Sequence, residues 1–245
     1  MIVLFTDFGA RDLYVGQVKA VLAARAPRVP AIDALHDVPD FRIEAAAHLL
    51  FALQREYPVG SVFLAVIDPG VGTSRDAIVV QADGRSFVGP DNGLLSLVWQ
   101  RARRRECARI VWRPERLTSS FHGRDIFAPV AAALATGRVP RGWLLPKKAP
   151  DVVLPDGDLP QVIYVDHYGN ALTGLRPASK SGVLLVGRRK LLYARTFEEA
   201  DGPFWYENSM GLAEIAMPRA SAARRLKLRI GTPLRWQASG SEHLL

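Results

Sequence analysis

Four short clusters in the 245-residue chain hold residue types that could do chemistry. The first is Thr6-Asp7-Phe8-Gly9, followed by Asp12, Tyr14 and Lys19. Asp7 comes directly after an apolar run, and a carboxylate at a strand end can accept both hydroxyls of a ribose. Capping of the following turn is the plain structural alternative. The second cluster is Asp68-Pro69-Gly70-Val71-Gly72-Thr73-Ser74-Arg75. Its glycines permit a tight turn and close backbone approach to a ligand. Asp68 and Arg75 can face each other across such a loop, as partners in a site or as a surface ion pair. The loop lacks the Gly-Lys-Ser/Thr ending of a phosphate-binding loop and the spacing of a dinucleotide fingerprint. The third cluster is Phe121-His122-Gly123-Arg124-Asp125, where a lone histidine could equally be a helix-end or core group. The fourth is Asp166-His167-Tyr168-Gly169-Asn170, with Glu207-Asn208-Ser209 further on; each alone is an ordinary turn sequence. Pro90-Asp91-Asn92-Gly93 reads as a structural turn that opens a helix.

The patterns between these clusters alternate between strand and helix. Residues 2–5 are a short apolar strand, 31–35 are strand-like and 61–67 read as a buried strand. Residues 12–26 carry Val15, Val18 and Leu22 at helical spacing, with Asp12 or a neighbour as cap and Pro27 as stop. Residues 43–54 form a second helix with Ile43, Ala46, Leu50 and Leu53 on its apolar face. Residues 77–82 and 85–88 flank Asp83-Gly84 as a hairpin. Residues 94–103 and 126–136 are helical, the latter with Asp125 as N-cap and Gly137 past its end. This order predicts an α/β N-terminal domain, residues 1–150, with a mainly parallel sheet. Ligands of such sheets gather beyond the carboxyl ends of the strands, which selects the loops after Phe5 and Ile67. Five prolines between 139 and 160 read as an interdomain linker. Short strand patterns at 162–165, 183–186, 191–194, 204–206, 212–217 and 234–236 predict a smaller β-rich domain, residues 158–245. Residues 239–245 read as a loose tail.

Composition narrows the function. Hydrophobic residues make up 49% of the chain, enough for a packed core rather than global disorder. No apolar run reaches the ~18–20 residues that span a bilayer, so no membrane partner is expected. The first residues lack a basic segment, which argues against a secretory signal. The single cysteine, Cys107, excludes an intrachain disulfide and a cysteine-rich zinc site. These features favour the cytoplasm. The net charge of +8 invites a nucleic-acid partner. However, the basic runs at 101–105 and 224–229 resemble helix ends and interleave no aromatic residues, so they read as solvated faces and no nucleic acid is expected.

In order and spacing the clusters resemble the S-adenosylmethionine hydroxide adenosyltransferase family, the group related to the fluorinating and chlorinating adenosyl enzymes. The similarity runs from Thr6-Asp7-Phe8-Gly9 through Val66-Ile67-Asp68-Pro69-Gly70-Val71-Gly72, Pro90-Asp91-Asn92-Gly93 and Phe121-His122-Gly123-Arg124-Asp125 to Asp166-His167-Tyr168-Gly169-Asn170 and Asn208-Ser209. The resemblance implies an N-terminal α/β domain and a C-terminal β-barrel-like domain. It also implies a homotrimer with the ligand between the N-terminal domain of one subunit and the C-terminal domain of its neighbour. Asp7 would hold the ribose hydroxyls; Asp12, Asp166 and Ser209 the methionine amino and carboxylate groups; Asn170 the adenine. Phe8 and Tyr14 join this substrate-binding set. Asp68, Arg75 and His122 match the water-handling triad of the hydrolase members. The Asp68 position is tyrosine in the halogenating relatives, the His122 position also differs there, and Gly123 stands where the fluorinating enzyme has a halide-contacting serine. The chain departs from the family at Gly174, where many members have asparagine after threonine, and around Phe204-Trp205 and Met210, which do not match the adenine-stacking positions.

The implied reaction is hydrolysis of S-adenosylmethionine to adenosine and L-methionine. S-Adenosylmethionine is then the substrate, and no cofactor or metal is expected. The sulfonium leaves as neutral methionine, so the site need only align a nucleophile and help remove its proton. Arg75 cannot be the base; Asp68 and His122 both remain candidates. A chlorinase and a non-catalytic sensor of the same ligand are the competing expectations.

Overall fold

The computed structural model describes residues 1–39 and 41–237. The chain divides into two compact units: Met1–Phe51 with Tyr57–Asp156, and Ala52–Glu56 with the residues from Gly157 onward.

The first unit is built on one seven-stranded sheet. Its strands are β1 (Ile2–Thr6), β2 (Ala31–Leu35), β3 (Val62–Val66), β4 (Ala77–Ala82), β5 (Arg85–Pro90), β6 (Arg105–Ile110) and β7 (Leu144–Lys147), in the order β2-β1-β3-β5-β4-β6-β7. β1, β2, β3 and β5 pair in parallel, while β4, β6 and β7 join antiparallel. Because β4 reverses direction and β6 reverses it again, five of the seven strands point the same way. β1 and β3 are buried throughout and apolar except for Thr6 at the end of β1, as strands covered on both faces must be. The helices are α1 (Leu13–Arg25), α2 (Ile43–Leu53), α3 (Ser96–Gln100) and α4 (Ala128–Ala135). Val18 and Leu22 of α1 and Val130 and Ala131 of α4 pack with Ile2, Leu4 and Leu64 in one core. The β4–β5 hairpin turns on Asp83 and Gly84, both at positive φ (45° and 79°), the turn geometry that follows strand twist.

Three local expectations need correction. The helix expected over 94–103 shrinks to the five residues of α3, and the chain then enters β6. The stretch 139–160 is not simply a linker. It contains β7, whose Lys147 Nζ lies 2.9 Å from Asp76 Oδ2 and 3.0 Å from Asp91 Oδ2. Finally, Asp125 does not cap α4. A π-helical turn, Gly123–Phe127, runs directly into that helix. The Asp125 carboxylate instead accepts from Thr118 N at 2.8 Å and Arg124 Nε at 2.6 Å, fixing the loop before the turn. Gly137 follows the C-cap residue Thr136 at φ 67°, as expected.

The second unit holds β8 (Leu159–Val165), β9 (Ala171–Gly174), β10 (Val183–Val186), β11 (Arg189–Leu191), β12 (Phe204–Glu207), β13 (Ala213–Ala216), α5 (Ala222–Leu226) and β14 (Arg235–Gln237). They form two antiparallel sheets, β12-β13-β9-β8 and β11-β10-β14, around Trp205, Leu184 and Ile215. Isolated bridges Gln161–Pro233 and Tyr193–Trp205 connect these segments. Among the described residues they do not close, so the barrel-like expectation becomes two small sheets over a shared core. β9 has no counterpart in the sequence expectation. The tail expected at 239–245 lies outside the described residues. Among the described residues, no helix is long and apolar enough to cross a membrane.

Candidate active site

Parallel pairing of β1 and β3 sets the site. Thr6 lies opposite Val66, so Asp7 and Asp68 leave the sheet at the same edge, beyond the strands' carboxyl ends. The loop after β1 turns at Gly9, at φ 79°, where a Cβ would stand 2.6 Å from Asp12 Oδ2. Asp12 is the N-cap residue of α1, yet its side chain makes no cap bond. Its carboxylate folds over Gly9 instead.

The loop after β3 brings Arg75 back onto Asp68. Arg75 Nε donates to Asp68 Oδ1 at 2.7 Å and Nη2 to Oδ2, a two-point pair with both side chains largely buried. Nη1 donates to the Asp76 carbonyl at 3.1 Å, and the guanidinium carbon lies 5.5 Å from the Phe127 ring centre. Nη2 also lies 3.2 Å from His122 Nδ1. A guanidinium has only donors, so Nδ1 must accept and the ring carries its proton on Nε2. Burial, then the Arg75 charge, holds the His122 pKa below its ordinary value, consistent with a neutral ring.

Asp7, Phe8, Asp12, Tyr14, Asp68 and His122 line one cleft of about 340 Å³, together with Phe41, Ser120, Phe121 and Gly123. Phe8, Tyr14 and Phe121 form an aromatic wall, with ring centres 5.4 to 6.2 Å apart. Gly123 makes room for it, since a Cβ there would stand 2.7 Å from Phe8 Cζ. The structure thus brings the first three sequence clusters together. Phe41 and Ser120 were not anticipated; Phe41 sits at φ 60° in a loop without periodicity. Asp91 and Asn92 serve as structure: Asn92 Nδ2 donates to the Ile67 carbonyl at 2.8 Å. The carboxylates of Asp76, Asp91 and Asp151, close enough to share a cation, are bridged by Lys147 Nζ.

The second unit has its own cleft of about 710 Å³, lined by Asp166 and Asn170 with Tyr168, Phe197, Tyr206, Glu214, Arg219 and Arg224 among others. Asp166 Oδ1 accepts from Asn170 N at 2.8 Å, which tightens their turn. Glu214 accepts from Tyr206 Oη at 2.6 Å and Asn208 Nδ2 at 2.9 Å. Burial, then this carboxylate, pushes the Tyr206 phenol pKa up. Trp205 is fully buried in the core and Phe204 nearly so, so neither lines the cleft. Ser209 lies exposed in the turn after β12 and lines neither cleft. Phe197, Tyr206, Glu214 and Arg219 come from separate elements, and no spacing pattern marked them.

Residues 2–142 match the family model for the SAM hydroxide adenosyltransferase N-terminal domain, and residues 160–235 match that for the C-terminal domain. The chain belongs to the SAM hydroxide adenosyltransferase family. Within it, the chain is 42% identical to the (R)-S-adenosyl-L-methionine hydrolase of Thermus thermophilus, over 94% of this chain and 96% of that protein. A crystallised conserved protein from Thermotoga maritima superposes with a TM-score of 0.87 at 32% identity, covering 97% of this chain and 100% of the other. A fluorinase from Actinopolyspora mzabensis is more distant, at 25% identity over 96% of each chain. In this SAM hydroxide adenosyltransferase chain, Asp68 and His122 line a cleft that also presents two further carboxylates, Asp7 and Asp12, while Arg75 joins the pair without lining the cleft itself.

Proposed function

We infer that the chain hydrolyses S-adenosylmethionine at the ribose 5′ carbon, giving adenosine and L-methionine. The name of the Thermus relative specifies the (R) form, and the same form is the substrate proposed here. The observation that carries the reading is the arginine-bridged pair of Asp68 and His122 at the cleft that holds Asp7.

In this reading water attacks the 5′ carbon in line with the departing sulfur. The carbon–oxygen bond forms as the carbon–sulfur bond breaks, and the bonding pair stays on sulfur as neutral methionine. No acid is needed for the leaving group. His122, with its proton on Nε2, acts as a donor that orients the water, and Asp68 takes the water's proton. Arg75 stays charged and holds both in place. Asp7 takes the ribose hydroxyls and Asp12 the cationic amino group, with Phe8 and Tyr14 against the apolar faces. These acids make the pocket suit a sulfonium although the whole chain is cationic. By family resemblance, Asp166, Asn170 and Ser209 complete the site from a neighbouring subunit of a homotrimer.

The test is to incubate the protein with each sulfonium epimer in the presence of chloride and separate the nucleoside products. Adenosine and methionine are expected, preferentially from the (R) form. Asp68→Asn should lower kcat by about 10²–10⁴-fold, the usual contribution of a positioned base. Chlorodeoxyadenosine would assign a halogenase instead, and binding without turnover a sensor.

A further inference from the structure

Two buried polar groups beneath the cleft take no part in the steps above. Thr6 is 0% and His36 6% exposed, and Thr6 Oγ1 lies 2.8 Å from His36 Nδ1. Phe8 N–H donates to the same hydroxyl at 3.4 Å. The His36 carbonyl accepts from Gly9 N–H at 2.8 Å. The residues on both sides of Asp7 are therefore tied, directly or through one hydroxyl, to a single histidine. Neighbouring bonds act in the same sense: Val38 N–H donates to the Thr6 carbonyl at 3.2 Å, and Ala10 N–H to Asp37 Oδ1 at 3.1 Å.

On its other side, His36 Nε2 lies 3.1 Å from Asp33 Oδ1, and Lys19 Nζ lies 2.9 Å from Asp33 Oδ2. The ring nitrogen is close to that carboxylate but is not aligned for a hydrogen bond to it. The order Thr–His–Asp has the connectivity of a hydrolytic triad. The Thr6 side chain is fully buried, however, and has no access to a substrate. What this group can do is hold a loop.

We propose that His36 is a positioning residue for the reaction: its ring, through the Thr6 hydroxyl, fixes the loop that presents Asp7 to the ribose, beside a main-chain bond from Gly9 that any residue at position 36 would keep. The inference rests on the reading of Asp7 given above. If it holds, loss of the Nδ1 contact weakens binding of anything that carries the ribose hydroxyls, while the bond-breaking step, run by Asp68 and His122, is largely unaffected.

The experiment compares His36→Asn, His36→Gln and His36→Leu by steady-state kinetics and by calorimetric affinity for adenosine and 2′-deoxyadenosine. Asparagine keeps a polar atom near the Nδ1 position, and glutamine keeps one nearer Nε2. His36→Gln and His36→Leu should raise KM and the adenosine Kd by roughly tenfold, the equivalent of one buried hydrogen bond, with kcat within about threefold of wild type. His36→Asn should remain close to wild type. The penalty should shrink on 2′-deoxyadenosine, which lacks one of the hydroxyls that Asp7 accepts. Equal losses in the asparagine and glutamine variants, or equal penalties on the two nucleosides, would reduce His36 to a packing group and overturn the proposal. If wild type binds adenosine without turning over the sulfonium, the hydrolase reading fails and the nucleoside affinities still decide the role of His36. A wild type that binds neither overturns both.

Discussion

Arg75 cannot lose its proton in a protein, and its guanidinium touches both Asp68 and His122. It therefore holds the Asp68 carboxylate in place and favours a neutral His122. Burial adds to the second effect, and the folded-state pKa of His122 falls below the ordinary value of about 6.5. The unfolded chain then takes up this proton more readily than the folded one. Stability from this group is complete above about pH 6.5 and is lost as pH falls toward the lower folded value. The rate should follow the same direction, because a protonated ring cannot accept from Arg75. We expect kcat/KM to be level near neutrality and to fall on an acid limb with its midpoint below about 6.5, and the limb should shift in His122→Asn. A midpoint above that value would contradict the assignment of His122 as a neutral donor. Replacing Arg75 by Lys should lower kcat by roughly a hundredfold at unchanged pH, because one ammonium cannot bridge both partners with the guanidinium's fixed fork. The facing of Asp68 and Arg75 across a glycine-rich loop was legible in the residues themselves, whereas His122 joined them only through the family resemblance, because a lone histidine carries no such pattern. The Thr6–His36 pair was not legible, because its members are 30 residues apart and His36 stands in no distinctive setting.

Between elements, a glycine sets how closely two loops approach. Gly72, at φ 80°, sits in the loop of Asp68 and Arg75, and a Cβ there would stand 2.6 Å from the Ser119 carbonyl oxygen. That oxygen belongs to the loop that leads to His122, so the contact sets the distance between the two halves of the triad. Gly72→Ala combines a left-handed backbone with a clash against main chain, a strain of about 1–3 kcal/mol. Much of it should be relieved by the loops moving apart. The expected result is a kcat loss of at least tenfold with a small drop in melting temperature; unchanged kcat would show that the loop spacing does not matter. The core strands and long helices were readable from continuous apolar runs and helical spacing. β6 and β7 were not. β6 reads Arg-Glu-Cys-Ala-Arg-Ile, with Cys107 and Ile110 buried, and its charges look like the exit of a helix. β7 contains Pro146, which looks like a linker residue. As the sheet's last strand it has one partner only, and proline is tolerated at such an edge. Lys147, held by the Asp76 and Asp91 carboxylates, ties this edge to the sheet.

At the scale of the molecule, the residues proposed to contact substrate fall into two sets, one in each compact unit. Asp7, Asp12 and Asp68 line the cleft of the first; Asp166 and Asn170 line that of the second. Sequence periodicity separates these units only coarsely, because strand pieces of three or four residues such as β11 and β14 carry too few positions to show a pattern. The family resemblance adds the proposal that a site takes its two sets from neighbouring copies in a closed trimer. Sedimentation should then give three times the 26.9 kDa chain mass. Functional mixing is the more demanding test. Asp68→Ala removes the proposed base, and Asp166→Ala removes a substrate ligand, so each variant alone should be nearly inactive at low substrate. Co-assembled in equal amounts, the two chains pair at random around the ring. One site in four then takes its first unit from the Asp166→Ala chain and its second from the Asp68→Ala chain, and both critical residues there are intact. About a quarter of wild-type activity should return. A site made within a single chain would regain nothing on mixing, because every chain carries one defect.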